Sequence, residues 1–171
     1  MNGPTRRLFI GLLPDGAVRE ALADHQRHWY WGTGLPTRRE RLHLTLHFLG
    51  ELDATREGAL RDVLTGEDVA PFELVLRTPE CWSGGIAVLR PDEHPALMDL
   101  HARLSGRLLR AGIASQRLAF TPHVTLARAA PNAAPPESMR PLTWTISEFA
   151  LVWSQPGPPA HYEVLARYGT T

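Results

Sequence analysis

Two short runs, His43-Leu44-Thr45-Leu46 and His123-Val124-Thr125-Leu126, stand 80 positions apart (123 − 43) and share one alternation of polar and apolar residues. A period of two marks a β-strand with one buried face, and a one-residue slip would turn every side chain to the wrong side. The pattern therefore asks for two strands whose Leu and Val side chains enter a core. Their His and Thr side chains then share the opposite face. A Thr two positions beyond a His lies about 6.5–7 Å further along such a strand. A fold that sets the two strands side by side gathers two imidazoles and two hydroxyls.

The flanking sequence supplies the rest of the scaffold. Arg7 to Leu13 reads as a buried strand, and Pro14 to about Trp31 as a helix with Pro in its first turn and Val18 and Leu22 on one side. Gly32-Thr33-Gly34-Leu35-Pro36 breaks it. The first motif strand, Arg41 to Leu49, puts Leu42, Leu44, Leu46 and Phe48 on its apolar face and His43, Thr45 and His47 on the other. Asp53 is placed to cap a second helix running to about Leu64, and Phe72–Arg77 and Ile86–Arg90 read as strands. From Pro95 to Ala111, Leu97, Leu100, Leu104 and Leu108 line one helical face and Gly112 ends it.

The second motif strand runs from Thr121 to Arg128 and enters a Pro- and Ala-rich stretch, Ala129 to Pro141, read as an exposed or mobile loop. Leu142–Trp153 and Tyr162–Ala166 are the last strands, parted by Pro156-Gly157-Pro158-Pro159. These elements predict an α+β fold. It consists of one bilobal domain over 1–171 with antiparallel sheets, outer helices, and two pseudo-two-fold-related halves facing a central cleft. Outside the motif the halves share no visible identity.

At 171 residues the chain can bury roughly two thirds of its unfolded surface, so it needs no disulfide or metal to hold a core. A formal net charge of +0 excludes a protein that grips nucleic acid chiefly through bulk electrostatics, although all 18 basic residues are Arg. Cys81 is the only cysteine, which excludes an internal disulfide and fits a reducing compartment. The apolar run Leu8-Phe9-Ile10-Gly11-Leu12-Leu13 is too short for a membrane span or a signal core. A cytoplasmic monomer with no membrane association and no obligate protein partner is expected.

The doubled motif fits one chemistry well. With an unperturbed pKa of about 6.5, one imidazole serves as base and the other as acid near neutral pH. A neighbouring Thr hydroxyl donates to a phosphoryl oxygen, and each hydrogen bond to a charged group contributes roughly 1.5–3 kcal/mol. Rival readings are weaker. His25 with His28, and His94 with His101, could each share a helix face, but neither pair comes with Cys, Asp or Glu at metal-ligand spacing. No Gly-x-Ser-x-Gly elbow occurs, and Cys81 has no nucleophile signature around it. A non-catalytic RNA- or nucleotide-binding module would use the same cleft but has no need of two titratable groups.

The segments His43-Leu44-Thr45-Leu46-His47-Phe48-Leu49-Gly50 and Thr121-Pro122-His123-Val124-Thr125-Leu126-Ala127-Arg128 resemble the paired motifs of the two-histidine phosphoesterase superfamily, in its RNA 2′,3′-cyclic phosphodiesterase (2′-5′ RNA ligase-like) branch. Arg7-Leu8-Phe9-Ile10, the Trp82–Pro91 segment and Tyr162-Glu163-Val164-Leu165 extend the likeness over nearly the whole chain. The resemblance implies opening of a 2′,3′-cyclic phosphate at an RNA or nucleotide end to a 2′-phosphomonoester, with no metal and no cofactor. It implies His43 and His123 as catalysts, assigned here as acid and base respectively. Thr45 and Thr125 would hold the non-bridging oxygens. The same residues would serve 2′-5′ ligation with a 5′ hydroxyl in place of water.

Arg128 is a substrate-contacting arginine by the same resemblance, although three residues past Thr125 it falls on the opposite face of an ideal strand. Among Phe9, Phe48 and Tyr162, Tyr162 is the preferred base-stacking residue because it follows a turn, whereas Phe48 shares the apolar face with Leu46. His47, about 13 Å along the strand from His43, is read as lining the groove or the surface. The Arg38-Arg39-Arg41 cluster reads as a solvated loop that can also steer RNA.

Overall fold

The computed structural model describes residues 3–115 and 119–169. In chain order its elements are β1 (Thr5–Leu12), α1 (Gly16–Arg27), β2 (Leu35–Pro36), a 3-10 turn (Arg39–Arg41), β3 (Leu44–Asp53), α2 (Ala54–Leu64), β4 (Phe72–Trp82), β5 (Ile86–Pro91), α3 (Pro95–Arg110), β6 (Val124–Arg128), β7 (Leu142–Ile146), β8 (Glu148–Gln155) and β9 (His161–Gly169).

All the strands join one antiparallel sheet in the order β7-β4-β5-β6-β3-β1-β8-β9, with β2 pairing with β6 beside it. The two motif strands are thus the innermost strands of two four-stranded halves. They meet through a single register pair, Leu44 opposite Val124. Beyond it β6 takes β2 as its neighbour (Leu35 opposite Arg128), so the halves diverge and leave a cleft. Two units of the same form, β1-α1-β3 and β5-α3-β6, end in the two motif strands. The sequence does not divide cleanly between the halves: β8 and β9 complete the half that β1 begins. Residues 142–153, read from sequence as one strand, split at Ser147 into β7 on one edge and β8 in the other half, because the curled sheet brings its two ends together.

The core fills from the alternation the sequence displays. Leu44, Leu46, Val124 and Leu126 are buried, as are Leu97, Leu100, Leu104 and Leu108 on the inner face of α3. At about 25 cal/mol per Å² of apolar surface, full burial of each such side chain stabilises by roughly 1.5–3 kcal/mol. Asp53 caps α2 by accepting from the Arg56 amide at 2.9 Å. Asp15 does the same for α1 through the Val18 amide.

Helix α1 ends at Arg27, not near Trp31. The indoles beyond it leave the helical path and stack on each other at 4.9 Å, and the Trp29 Nε1–H donates to His25 Nε2 at 2.9 Å. The loop after β6 is largely exposed, as expected, and is anchored at two points. Ala130 is buried and donates to the Gly85 carbonyl at 2.8 Å, and Tyr30 and Ala134 exchange backbone hydrogen bonds. Among the described residues no helix is long and apolar enough to cross a membrane.

Candidate active site

His43 and His123 each sit one residue ahead of their strand, and each is anchored in the same way. The Nδ1–H of His43 donates to the Arg41 carbonyl at 2.7 Å, and that of His123 to the Thr121 carbonyl at 2.8 Å. A carbonyl can only accept, so both rings carry their proton on Nδ1 and keep Nε2 for chemistry. In His43 that nitrogen accepts from the Thr45 hydroxyl at 2.8 Å. Extending the Leu44–Val124 register by one step each way sets Thr45 opposite His123 and Thr125 opposite His43, all on the face away from the buried Leu44 and Val124.

Aromatic rings hold both imidazoles. Phe9 stacks on His43 with centroids 4.7 Å apart, and Tyr162 meets its edge at 5.4 Å. Trp82 meets the His123 ring at 4.5 Å. The Trp82 Nε1–H donates to Glu80 at 2.7 Å, and Glu80 pairs with Arg90 at 3.1 Å. Burial holds the His43 pKa down to about 4. The backbone bond to Arg41 opposes this, and the charges of His123, Arg128 and Arg19 add to it. His123 is also lowered, first by burial and then by Arg128 and Arg90, against the bond to Thr121. A chain with no net charge thus surrounds its two imidazoles with guanidinium groups.

Two matching β-bulges shape the floor. In β3 the register slips so that Thr45 faces Gly11 while His47 faces Ile10, leaving Leu46 as the extra residue. In β6, Thr125 faces Val88 while Ala127 faces Ala87, leaving Leu126 extra. Each bulge inverts the alternation that follows it. Leu46 and His47 are therefore both buried, as are Leu126 and Ala127, and the residues three past each Thr, Phe48 and Arg128, turn out of the core.

This corrects two readings made from an ideal strand. Arg128 is close enough to lower both imidazole pKa values. Phe48 is 43% exposed rather than packed with Leu46. His47 is buried, 4% exposed, and does not stand level with His43, yet it lines the cleft as expected; its Nε2–H donates to the His101 carbonyl at 3.1 Å.

Phe9 is buried beneath His43 and is not free to stack on a base. Arg39 pairs with Glu20 rather than reaching for a ligand, while the Arg41 guanidinium lies 6.0 Å from the Tyr162 ring centre. A cleft of about 450 Å³ opens beside His123 and Thr45, lined also by Phe48, Trp82, His101 and Phe120. A larger cavity of about 660 Å³ lies between α1 and residues 136–143, and none of the four motif side chains lines it. The chemistry of the site belongs to the smaller cleft. His25 and His94 are engaged elsewhere, the first accepting from Trp29 and the second capping α3 through the Ala96 amide. Among the described residues no three His, Cys, Asp or Glu side chains are grouped to hold a metal ion.

The sequence profile of the 2′-5′ RNA ligase superfamily matches residues 15–158, a span that holds both motifs and the whole cleft floor. The chain belongs to that superfamily. Within it, the chain is 33% identical over 156 residues to the RNA 2′,3′-cyclic phosphodiesterase of Escherichia coli K12, covering 88% of each protein. The superfamily fold is equally clear in solved structures. E. coli LigT complexed with 3′-AMP superposes with a TM-score of 0.86 at 27% identity, over 96% of this chain and 98% of that one. The TT0787 protein of Thermus thermophilus superposes with a TM-score of 0.74 at 28% identity, over 95% and 96%.

Proposed function

We propose that this protein hydrolyses 2′,3′-cyclic phosphate ends of RNA or nucleotides to 2′-phosphomonoesters, with its two histidines as acid and base. The observation that carries this reading is the pair of Nδ1-anchored imidazoles at the joint of β3 and β6, each opposite a threonine. In the reaction a water oxygen attacks phosphorus and the P–O3′ bond breaks. His123 Nε2 takes the proton from water, and His43 Nε2 delivers one to the departing O3′. Thr45, Thr125 and Arg128 bind the non-bridging oxygens, and Tyr162 bounds the substrate on the His43 side. His43, with its pKa near 4 in the free protein, receives its proton as the anionic phosphodiester binds, because a negative charge nearby favours the imidazolium.

Both proton carriers are side chains of one chain, so the step asks for no cofactor and no second subunit. We read residues 1–171 as one bilobal unit acting as a cytoplasmic monomer, a setting that suits the lone, exposed Cys81. The superfamily description favours a second activity at the same site, in which a 5′ hydroxyl replaces water and leaves a 2′-5′ linkage. The abundance of water makes hydrolysis the net direction.

The test is incubation with a 2′,3′-cyclic nucleotide in EDTA, with the native protein beside His43→Ala and His123→Ala. Turnover to the 2′-phosphate that falls about 10²–10⁴-fold in each variant is expected, the usual contribution of a general acid or base. Undiminished turnover in both variants, or release of the 3′-phosphate, would sink the assignment.

A further inference from the structure

The two imidazoles are not held equally. His43 is bonded at both ring nitrogens, by the Arg41 carbonyl and the Thr45 hydroxyl, and packs between Phe9 and Tyr162. His123 has only its Nδ1–H tied, to the Thr121 carbonyl. Among the described residues its Nε2 has no hydrogen-bond partner, and Trp82, at 4.5 Å and 62°, is the one ring against it. A ring on a single bond can still turn about that bond, so the indole decides where His123 Nε2 points.

Two neighbouring strands fix that indole. Glu80 and Trp82, two apart on β4, share one face, and the Trp82 Nε1–H donates to Glu80 Oε2 at 2.7 Å. The β4–β5 register sets Glu80 opposite Val88 and so puts Arg90 on the diagonal, where its Nη1 reaches Glu80 Oε1 at 3.1 Å. On the other side of β5, Val88 faces Thr125 and Leu89 faces Val124, so one further step brings Arg90 opposite His123. Arg90 thus stands between a carboxylate and an imidazole. Its Nε is buried with no hydrogen-bond partner, which leaves Glu80 as the group that holds the guanidinium.

The charges around His123 give this carboxylate a purpose. Arg90 faces the ring from β5, Arg128 from its own strand β6, and His43 from β3. Glu80 is the one acid among the described residues lining the cleft. The Trp82 hydrogen bond, and after it Arg90, hold its carboxyl below the usual range and keep it ionised. Alone, a carboxylate here would repel a phosphodiester; against Arg90 it offsets one cation and leaves Arg128 free for the anion.

We propose that Glu80, Trp82 and Arg90 form one positioning unit for His123. The Glu80–Trp82 hydrogen bond holds the indole against the imidazole, and the Glu80–Arg90 pair offsets the guanidinium charge that faces it. The unit acts through His123 and carries no proton itself. The inference rests on the reading of His123 as the base for its place in the reaction, and its test reads the ring before it reads turnover.

Proton NMR titration of the histidine rings is the experiment, with His43 and His123 assigned from His43→Ala and His123→Ala. Glu80→Gln keeps an acceptor for the indole and removes the charge. The His123 midpoint should then fall by about 0.5 pH unit or more, with its ring-current shift from Trp82 unchanged. Arg90→Met removes the opposing charge and should raise the midpoint by a similar amount. Glu80→Ala removes acceptor and charge together, so the ring-current shift should collapse. Its kcat on a cyclic nucleotide should drop about 10-fold below that of Glu80→Gln, as a misdirected base would. The His43 midpoint should stay within about 0.2 pH unit throughout, because its partners lie on the other strand.

His123 midpoints that fail to move in opposite directions in Glu80→Gln and Arg90→Met would overturn the electrostatic role. A native ring-current shift in Glu80→Ala would overturn the tether. A His43 midpoint that moves as far as that of His123 would show a general disturbance and overturn the unit as a local device. Titrations that behave as expected beside undiminished turnover in His123→Ala would instead sink His123 as the base and leave the positioning unit standing.

Discussion

Leu44 and Val124 lie opposite each other at the one point where β3 pairs with β6, and each follows a cleft histidine in the chain. In an antiparallel ladder one such pair fixes its neighbours. The buried Leu44–Val124 contact therefore decides that His43 stands across from Thr125 and His123 across from Thr45. The spacing of the two imidazoles and two hydroxyls is a consequence of core packing.

Because the register sets each threonine opposite a histidine, Thr45→Val and Thr125→Val should do similar damage. Each removes a hydroxyl offered to a phosphoryl oxygen, worth about 1.5–3 kcal/mol, or roughly 10–150-fold in kcat/KM for a cyclic nucleotide. Thr→Ser at either site keeps the hydroxyl and should recover most of the loss. A Val variant with full activity would remove that threonine from the mechanism.

The pH profile should peak on the acid side. Catalysis needs one imidazole charged and one neutral, a state most populated between the two pKa values. Both lie below 6.5 in the free protein, with His43 near 4. The kcat/KM profile is therefore expected to be bell-shaped with its maximum below pH 6.5, falling as pH rises through the upper value. The kcat profile, set by the complex, should lie to the alkaline side of it, since the bound phosphate raises both imidazoles. Rates that climb steadily through neutral pH would contradict the paired-histidine scheme.

Arg128 carries two separable effects. Loss of its charge-assisted contact in Arg128→Ala should weaken inorganic phosphate binding about 10-fold or more. Its charge also holds down both histidines, so the same variant should move the kcat/KM maximum toward higher pH. Arg128→Lys keeps the charge without the planar fork, and should retain the pH maximum while recovering only part of the affinity. An unmoved pH maximum in Arg128→Ala would place the guanidinium farther from the imidazoles than the structure does.

Much of this was legible in the sequence, and what was not has a common cause. The four motif side chains, the Asp53 cap and the apolar face of α3 follow from periodicity and capping, which act over a few residues. The bulges at Leu46 and Leu126 do not. Each adds one residue without a Gly or Pro to mark it. In β3 the alternation still reads as unbroken through His47 and Phe48, and in β6 only Ala127 followed by Arg128 departs from it, so an ideal strand puts Phe48 and Arg128 on the wrong faces. The split at Ser147 does leave a mark, since Ser147 and Glu148 set two polar residues in succession after Leu142, Trp144 and Ile146, but nothing local says that the chain changes halves there. Trp82, His101 and Phe120 reach the cleft from β4, from α3 and from beside β6, and only tertiary packing brings them together.

Stability should fall as the solution is acidified. His43 and His101 are both held near pKa 4, His101 by burial and by its neighbour His47, and His25, His47 and His123 are lowered as well. Below the unfolded value of about 6.5 the unfolded chain binds protons that the folded one refuses. The stabilisation is complete above pH 6.5 and drains away toward pH 4, with a limiting slope of about 1.4 kcal/mol per pH unit for each fully depressed group. Thermal unfolding followed from pH 7.5 to 4.5 should show a falling Tm, and His101→Phe should flatten the fall. A Tm independent of pH over that range would mean that these rings titrate normally.

Gly34 links loop packing to the site. A Cβ at this position would lie 2.4 Å from the Ala130 Cβ and 2.9 Å from the Trp31 carbonyl oxygen, closer than real contacts allow. Gly34 immediately precedes Leu35, the residue paired with Arg128, and Ala130 lies two residues beyond that arginine. Gly34→Ala must therefore push β2 and the loop apart, at the roughly 1–3 kcal/mol typical of overpacking. The displacement falls beside Arg128, so phosphate affinity should drop together with Tm. Adding Ala130→Gly removes the nearest clashing atom but leaves the Trp31 carbonyl, so the double variant should recover part of both losses. Denaturant unfolding and phosphate titration on the two variants check this, and a Gly34→Ala protein as stable as the native one would show that β2 does not press on the loop at all.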